Sequence, residues 1–423
     1  MKTDASNGLR AWRALGPGLL MAGAAIGVSH IVQSTRAGAD FGWQLLWVVL
    51  LVNLFKYPFF EYGHRYAVAT GESLLHGYAR LGRFYLWGFL VLTTVTAIIS
   101  IAGVTIVTAA LAENFFSLGW SLDVWSLWIL GLCLALISIG RYRALDVAMK
   151  AIMAVLLFAT VVAFLLALRQ GPAERVPEFV TVSPWTAVGL GFVIALMGWM
   201  PGPIELSTLQ SLWVGAKERA TGRRFTRAGA ALDFNLGYGL TVVLSVLFLA
   251  MGALVMYGSG ESYAAGGAAF ASQFIALYTG RLGEWAGPFI AIAALTTMFS
   301  TTLAVMDAYP RALAVGGGLV VASKDAHARG PHLVAMVVCG GLGVILIHFF
   351  RAELIRLIDF ATIIAFLAAP VFAYLNLRLV CSSALAPEDQ PPRWLRMLSV
   401  AGLVYLVGFG VIYLWMRFIV SLF

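Results

Sequence analysis

Eleven stretches of about 20 apolar residues, each long enough to cross a ~30 Å hydrocarbon core as a helix, follow one another along this chain between clusters of charge, Gly and Pro. They cover residues 17–38, 43–63, 84–112, 124–140, 144–169, 185–213, 233–257, 285–309, 331–349, 353–379 and 395–420. Inside lipid a backbone satisfies its polar groups only as helices or as a closed barrel, and stretches of this length select helices. An all-α integral membrane protein is expected. The first stretch follows Arg10 and Arg13, as in a signal peptide, but no small-residue cleavage site before a polar segment comes after it, so it is read as a retained helix.

Of the 423 residues 61% are hydrophobic and 11% charged, with a mean hydropathy of +0.89; soluble domains carry roughly 25% charge. A water-soluble globular protein is excluded. Cys133, Cys339 and Cys381 are too few and too scattered for a disulfide framework, and no paired Cys or His spacing suggests zinc. The net charge of +8 reads as topology. With the N-terminus inside, 20 of the 28 Lys and Arg fall in inner segments, which favours a cytoplasmic N-terminus and an outer C-terminus. The run KERATGRRFTR at 217–227 is on this view a topogenic loop rather than a nucleic-acid patch. The longest polar stretch, 258–284, is rich in Gly, Ser and Ala and is read as a connection within a single transmembrane domain, 1–423.

Two stretches five helices apart share a flaw: GAAIGVSH at 23–30 and MGWMPGPIE at 197–205. Gly and Pro at mid-depth free backbone groups that protein or ligand must satisfy. Pro203 suits the opening turn of a new helix, so the sixth stretch is expected to split into one half before Met200 and another from about Gly202. Helices interrupted at matching positions of two halves point to a transporter's binding site near the bilayer midplane. Kinks that only ease packing are the plainer alternative.

The segments GPGLLMAGAAIGVSH, AGADFGWQLLWVVLLVNL and AVATGESL resemble the first two helices of the Nramp family, and ALMGWMPGPIELS resembles its sixth. The resemblance implies a LeuT-like 5+5 inverted repeat with 11 transmembrane helices: repeat one at about 14–170, repeat two at about 185–380, and an extra helix at about 395–420, helices 1 and 6 being broken. The family's metal transporters carry Asp-Pro-Gly-Asn in the first helix and Met-Pro-His in the sixth. Here Gly27-Val28-Ser29-His30 and Met200-Pro201-Gly202 stand in those places, so only the Met sulfur remains. The acidic pair of the family's third helix falls at Ser100 and Gly103, and its sixth-helix proton-pathway His near Ser207.

With that topology the half-helix beginning near Ser29 or His30 and the one beginning near Gly202 both point positive ends at the midplane. Without a carboxylate, this centre is expected to prefer an anion. Gly27, Ser29 and Gly202 allow close backbone approach, His30 and Gln33 add donors, and Met200 and Pro203 complete the expected substrate set. Gln33 is as readily a partner in an interhelical bond, and His30 a satisfied core residue. A sodium site, which the LeuT-like resemblance implies, would combine carbonyls from Ala24 to Gly27 with hydroxyls of ALTTMFSTTLAVMD, namely Thr297, Ser300 and Thr301. Back-bonding of those hydroxyls to their own helix is the alternative. Charges inside the membrane are functional suspects: Lys56, Glu61, Glu205, Asp307 and Asp359. Glu205 is expected in the first turn of the second half-helix, where the dipole favours it and Lys56 or a coupled cation could neutralise it.

The expectation is a secondary active transporter of a bacterial inner (plasma) membrane that works by alternating access. A branch of Nramp-related proteins without the metal motif is associated with bicarbonate, which makes bicarbonate with sodium co-transport the specific reading. Its partners are a small inorganic anion and the lipid bilayer. No nucleic acid, no resident metal and no cofactor beyond sodium are expected, and a monomer is. The rival is a divalent metal cation transporter with an altered site using Met200, Glu205 and backbone oxygens, or Met200 with His30 for a soft metal. No His-Glu-x-x-His or Gly-x-Ser-x-Gly pattern supports an intramembrane enzyme.

Overall fold

The computed structural model describes residues 16–139, 142–177, 179–222, 224–260, 267–322, 329–350 and 352–418. Lys2, Arg10, Arg13, Arg141, Arg223 and Lys324, which entered the charge argument, lie outside them. The helices are α1 (Pro17–Ala25), a π-helical segment (Ser29–Ser34) that runs into α2 (Thr35–Phe41), α3 (Leu46–Thr70), α4 (Leu74–Leu81), α5 (Arg83–Phe116), α6 (Leu122–Ile139), α7 (Tyr142–Gln170), α8 (Ala187–Gly198), α9 (Leu206–Thr221), α10 (Arg227–Val255), α11 (Gly267–Leu282), α12 (Gly287–Val320), α13 (Arg329–Phe350), α14 (Leu354–Val380) and α15 (Arg393–Phe418).

Among the described residues, seven helices are long and apolar enough to cross a membrane: α5, α6, α10, α12 with the short turn before it, α13, α14 and α15. The pair α1 and Ser29–Phe41, bent by 49°, makes an eighth. The second expected span, α3, is helical throughout but carries Lys56, Glu61 and Arg65, and the sixth is divided between α8 and α9. The 258–284 connection is not a plain loop. It contains α11, whose Phe270, Phe274, Leu277 and Tyr278 pack into the core, so an amphipathic pattern is hidden within its small residues.

Spans α5 and α12 form the centre, with 72% of their apolar windows buried; α6, α13 and α15 are buried over only 28%, 28% and 22% and present their remaining surface to lipid. Lipid tails are as apolar as Leu, so helices gain little by hiding Leu from them and pack instead through small residues. The first span shows this. Gly38 packs on the backbone of α10 at Leu249 and Ala253, Gly252 of α10 packs on the backbone at Thr35 and Ala39, and Gly18 and Gly237 pack on each other's segments. The two helices thus touch backbone to backbone at both ends of the first span. Helix ends carry their usual signals: Thr186 and Thr226 accept hydrogen bonds from the amides of Gly189 and Gly229, both at 3.1 Å, and Gly71 and Gly222 close α3 and α9 at positive φ.

A Cβ at Gly252 would lie 2.8 Å from the amide nitrogen of Ala39, and overpacking of this kind costs about 1–3 kcal/mol. Gly252→Ala should therefore lower the thermal unfolding midpoint in detergent by several degrees. Gly88→Ala, where a Cβ meets nothing within 4 Å, should leave it unchanged or raise it.

Candidate functional site: two broken spans around a small cavity

The first span breaks at Ile26–Val28. Gly23 and Ile26 lose their helical acceptor roles there, because the next segment restarts with the amides of His30 and Ile31 on the Gly27 carbonyl, at 3.1 and 2.9 Å. Thr301 of α12 takes up the freed carbonyls. Its hydroxyl lies 3.0 Å from the Gly23 oxygen, 3.0 Å from the Ile26 oxygen and 3.1 Å from the Thr297 oxygen. One hydroxyl has one proton, so three carbonyl oxygens share a single donor. The Thr297 hydroxyl, buried nearby, has no partner among the described residues. Thr301 meets Ile26 of the expected Ala24–Gly27 stretch and Gly23 just before it, and not the carbonyls of Ala24 and Gly27.

The sixth span breaks for a different reason. In a helix the carbonyls of Met197 and Trp199 would receive the N–H of residues 201 and 203, but both are proline. A residue preceding proline is also pushed out of the α region, which applies to Met200 and Gly202. The Met200–Pro201 bond is cis. The helix resumes only at Leu206, with Glu205 at its cap and the amides of Leu206 and Ser207 turned onto Pro203 and Ile204. The expectation of a half-helix from about Gly202 with Pro203 in its first turn is thus corrected by four residues. Lys56 fills the break: its Nζ donates to the carbonyls of Met197 at 2.6 Å, Gly198 at 2.9 Å and Gly202 at 3.2 Å.

Between the two breaks lies a cavity of about 30 Å³, room for two or three water-sized groups. Its polar lining is Ser29, Ser100, Thr301 and Tyr309 with the backbone at Gly202 and Pro203; Trp199 and Ala and Val side chains complete it. None of the lining residues is charged. Ala24, Ser29, Gly202, Pro203 and Thr301, chosen from the sequence, therefore meet there. The sequence did not mark Ser100, at the position of the family's third-helix acid, or Tyr309 as substrate residues. Tyr309 is an apolar-looking member of a helical stripe in the sequence, and only the fold turns it inward.

The other expected residues lie elsewhere. His30 is fully buried outside the cavity, with Nδ1 2.7 Å from the Ser29 hydroxyl and Nε2 3.0 Å from the Thr241 carbonyl. That carbonyl requires the proton on Nε2, so His30 is a satisfied packing residue. Gly27 packs against Thr301, where a Cβ would sit 2.9 Å from its Cγ2. Met200 is buried away from the lining. Gln33 donates to Asp359 at 3.0 Å and Thr362 at 3.3 Å, and accepts from Arg36 at 3.1 Å. Ser300 is buried near Thr301 on α12. Ser207, in the place of the family's His, donates to the Ile204 carbonyl and accepts from Asn376.

The charges sort themselves by partner. Glu61 pairs with Arg65, Asp307 with Arg311, and Asp359 with Arg36 at 2.7 Å, the last bridging the first span and α14. Glu205 is different: fully buried, it accepts from Tyr309 at 3.2 Å on Oε1, while Oε2 has no partner among the described residues. Lys56 does not bond to it, because its donors are spent on carbonyls. Among the described residues no group of three or more His, Cys, Asp or Glu is placed to hold a metal.

The Arg36–Asp359 pair, with Gln33 and the Phe192 ring 4.9 Å from the guanidinium, ties the first span to α14 on the Phe41 side of its break. Partly exposed pairs contribute about 1 kcal/mol or less, so Asp359→Asn should raise opening at this end by at most about fivefold. The measure is labelling of a Ser29→Cys probe by an impermeant thiol reagent, in a background with the exposed Cys381 replaced by Ser.

The chain matches the family model for natural resistance-associated macrophage protein-like (Nramp) proteins over residues 18–416. It is 40% identical over 404 residues to an uncharacterized protein of Pasteurella multocida (strain Pm70), covering 95% of this chain and 92% of that protein. It is 22% identical over 377 residues to the divalent metal cation transporter MntH of Latilactobacillus sakei subsp. sakei (strain 23K), covering 84% and 79%. Among solved structures, the manganese transporter of Eremococcus coleocola superposes with a TM-score of 0.66 at 17% identity, over 97% of this chain and 87% of that one. MhsT in complex with L-phenylalanine superposes at 0.62 and 13% identity, over 95% and 98%. Family and structural neighbours alike are transporters rather than enzymes, and their shared architecture is LeuT-like. The chain belongs to the Nramp family of membrane transporters.

Proposed function

We propose that this member of the family carries a small monoanion of the bicarbonate type with sodium, by alternating access around the two broken spans of a bacterial inner-membrane protein with its N-terminus inside. The observation that carries the reading is the cavity lining, which holds hydroxyls and backbone but no carboxylate, thiol or imidazole. A divalent cation there would keep most of its charge uncompensated. The named relatives are transporters of divalent metal, but the acidic positions that would match theirs are neutral here.

The helix restarting on the Gly27 carbonyl leaves the amides just before it, Val28 and Ser29, without intrahelical partners, and both residues line the cavity. The second positive end contributes less than the sequence suggested, since α9 starts beyond the cavity at Leu206 with Glu205 at its cap. A volume of about 30 Å³ admits an ion of a few heavy atoms and excludes an amino acid. For sodium, the support is the deficit at Thr301: the two carbonyls freed by the break, of Gly23 and Ile26, share one hydroxyl proton with the Thr297 carbonyl of its own helix, an arrangement a hard cation would complete with oxygen ligands.

Purified protein in proteoliposomes should take up labelled bicarbonate under an inward sodium gradient, with no competition from micromolar manganese. Saturable manganese uptake that disappears in Met200→Ala would replace this reading with that of a metal transporter. Ser100→Asp puts a carboxylate on the cavity wall. At an effective dielectric of about 20 and ~4 Å, repulsion of a monoanion amounts to on the order of 4 kcal/mol, or about a thousandfold in affinity. Ser100→Asn is the neutral control, and equal loss in both would assign the effect to bulk.

Thr301→Val should abolish sodium stimulation, whereas Thr301→Ser, which keeps the hydroxyl, should retain it. Sodium-independent uptake at wild-type rate in Thr301→Val removes sodium from the proposal.

A further inference from the structure

Lys56 is fully buried in the second span, and no ion pair joins it to a carboxylate among the described residues. Three carbonyl oxygens converge on its nitrogen, those of Met197, Gly198 and Gly202, at 2.6, 2.9 and 3.2 Å. A neutral amine has two N–H groups and an ammonium has three, so the geometry calls for the charged form. Two of these carbonyls close the last turn of α8, the negative end of its dipole. The third precedes Pro203 and sits on the cavity wall.

The two breaks are chemically parallel. The first gathers two freed carbonyl oxygens, of Gly23 and Ile26, on the Thr301 hydroxyl, which also reaches the Thr297 carbonyl of its own helix, and the sixth gathers three on Lys56. At Thr301 a single proton serves three acceptors; at Lys56 three protons serve three. Ammonium and potassium ions are close in size, and carbonyl cages of this kind accept either. We infer that the Lys56 ammonium is a tethered cation that holds the sixth-span break in shape, so that this break needs no diffusible ion and Lys56 positions Gly202 and Pro203 for substrate.

The neighbouring ionisable groups are Glu205 and, beyond it, Tyr309. Glu205 sits at the positive end of α9, so each dipole end at the break faces the opposite charge, Lys56 at the end of α8 and Glu205 at the start of α9. The chain holds five lysines, at 2, 56, 150, 217 and 324, and Lys56 is fully buried within the second span.

The test uses Lys56→Met, which keeps the length of the side chain without its charge, and Lys56→Ala, which leaves room for a free cation. Its transport arm rests on the bicarbonate reading; its thermal arm does not. In proteoliposomes both variants should lose bicarbonate uptake by about tenfold or more, the equivalent of one charge-assisted hydrogen bond. Uptake by Lys56→Ala should return with n-propylammonium or potassium and not with 1-propanol, which fills the space without charge.

In detergent the same additions should raise the unfolding midpoint of Lys56→Ala and leave wild type unmoved. Wild-type uptake in Lys56→Met, or equal rescue by 1-propanol, overturns the inference. If wild type takes up no bicarbonate, the substrate reading fails while the thermal arm still decides the role of Lys56. Should neither variant be recovered folded, the NMR signal of 15N-lysine in wild type decides: a buried –NH3+ supports the tethered cation, and a neutral amine overturns it.

Discussion

A helix can be broken in hydrocarbon only where something else takes up the carbonyls and amides it releases, and in this protein that constraint organises the middle of the molecule. The first span is held at its break by one hydroxyl on α12, the sixth by one ammonium on α3. These two side chains tie each broken span to a neighbouring unbroken helix. The cavity lies between the two breaks, with Ser29 of the first and Gly202 of the sixth in its lining.

The distribution of charge follows from the same economy. Carboxylates near the ends of the spans have guanidinium partners four residues away or on an adjacent helix, as at Glu61, Asp307 and Asp359. Only Glu205 and Lys56 remain at the centre without an ion pair among the described residues; Lys56 bonds to backbone carbonyls and Glu205 accepts from Tyr309, and neither side chain lines the cavity. The cavity wall itself is left neutral.

Rigid packing around this centre comes from glycine. Where the first span meets α10, Gly18, Gly38, Gly237 and Gly252 let the backbones touch at two levels, so the bent span is braced at both ends.

The sequence by itself determined the all-helical membrane class, from stretch length and the scarcity of charge, and it located both breaks. Pro201 and Pro203 remove N–H donors wherever they are placed, and Gly27 beside Ser29 ends a helix for local reasons, so these features were legible without the fold. It also carried the family, because the flanks of the breaks are local strings. What only the tertiary structure decided is which groups face the cavity. His30, Gln33 and Met200 looked like binding residues from their neighbours in sequence, but partners more than 200 residues away, Thr241 and Asp359, claim the first two, and packing buries the third. Ser100 and Tyr309 joined the site through helix rotation, which no local pattern records. The partner of Lys56 could not be read either: a lysine in an apolar stretch announces a need for compensation, and only the approach of α3 to the sixth-span break shows that backbone carbonyls, and not Glu205, meet it.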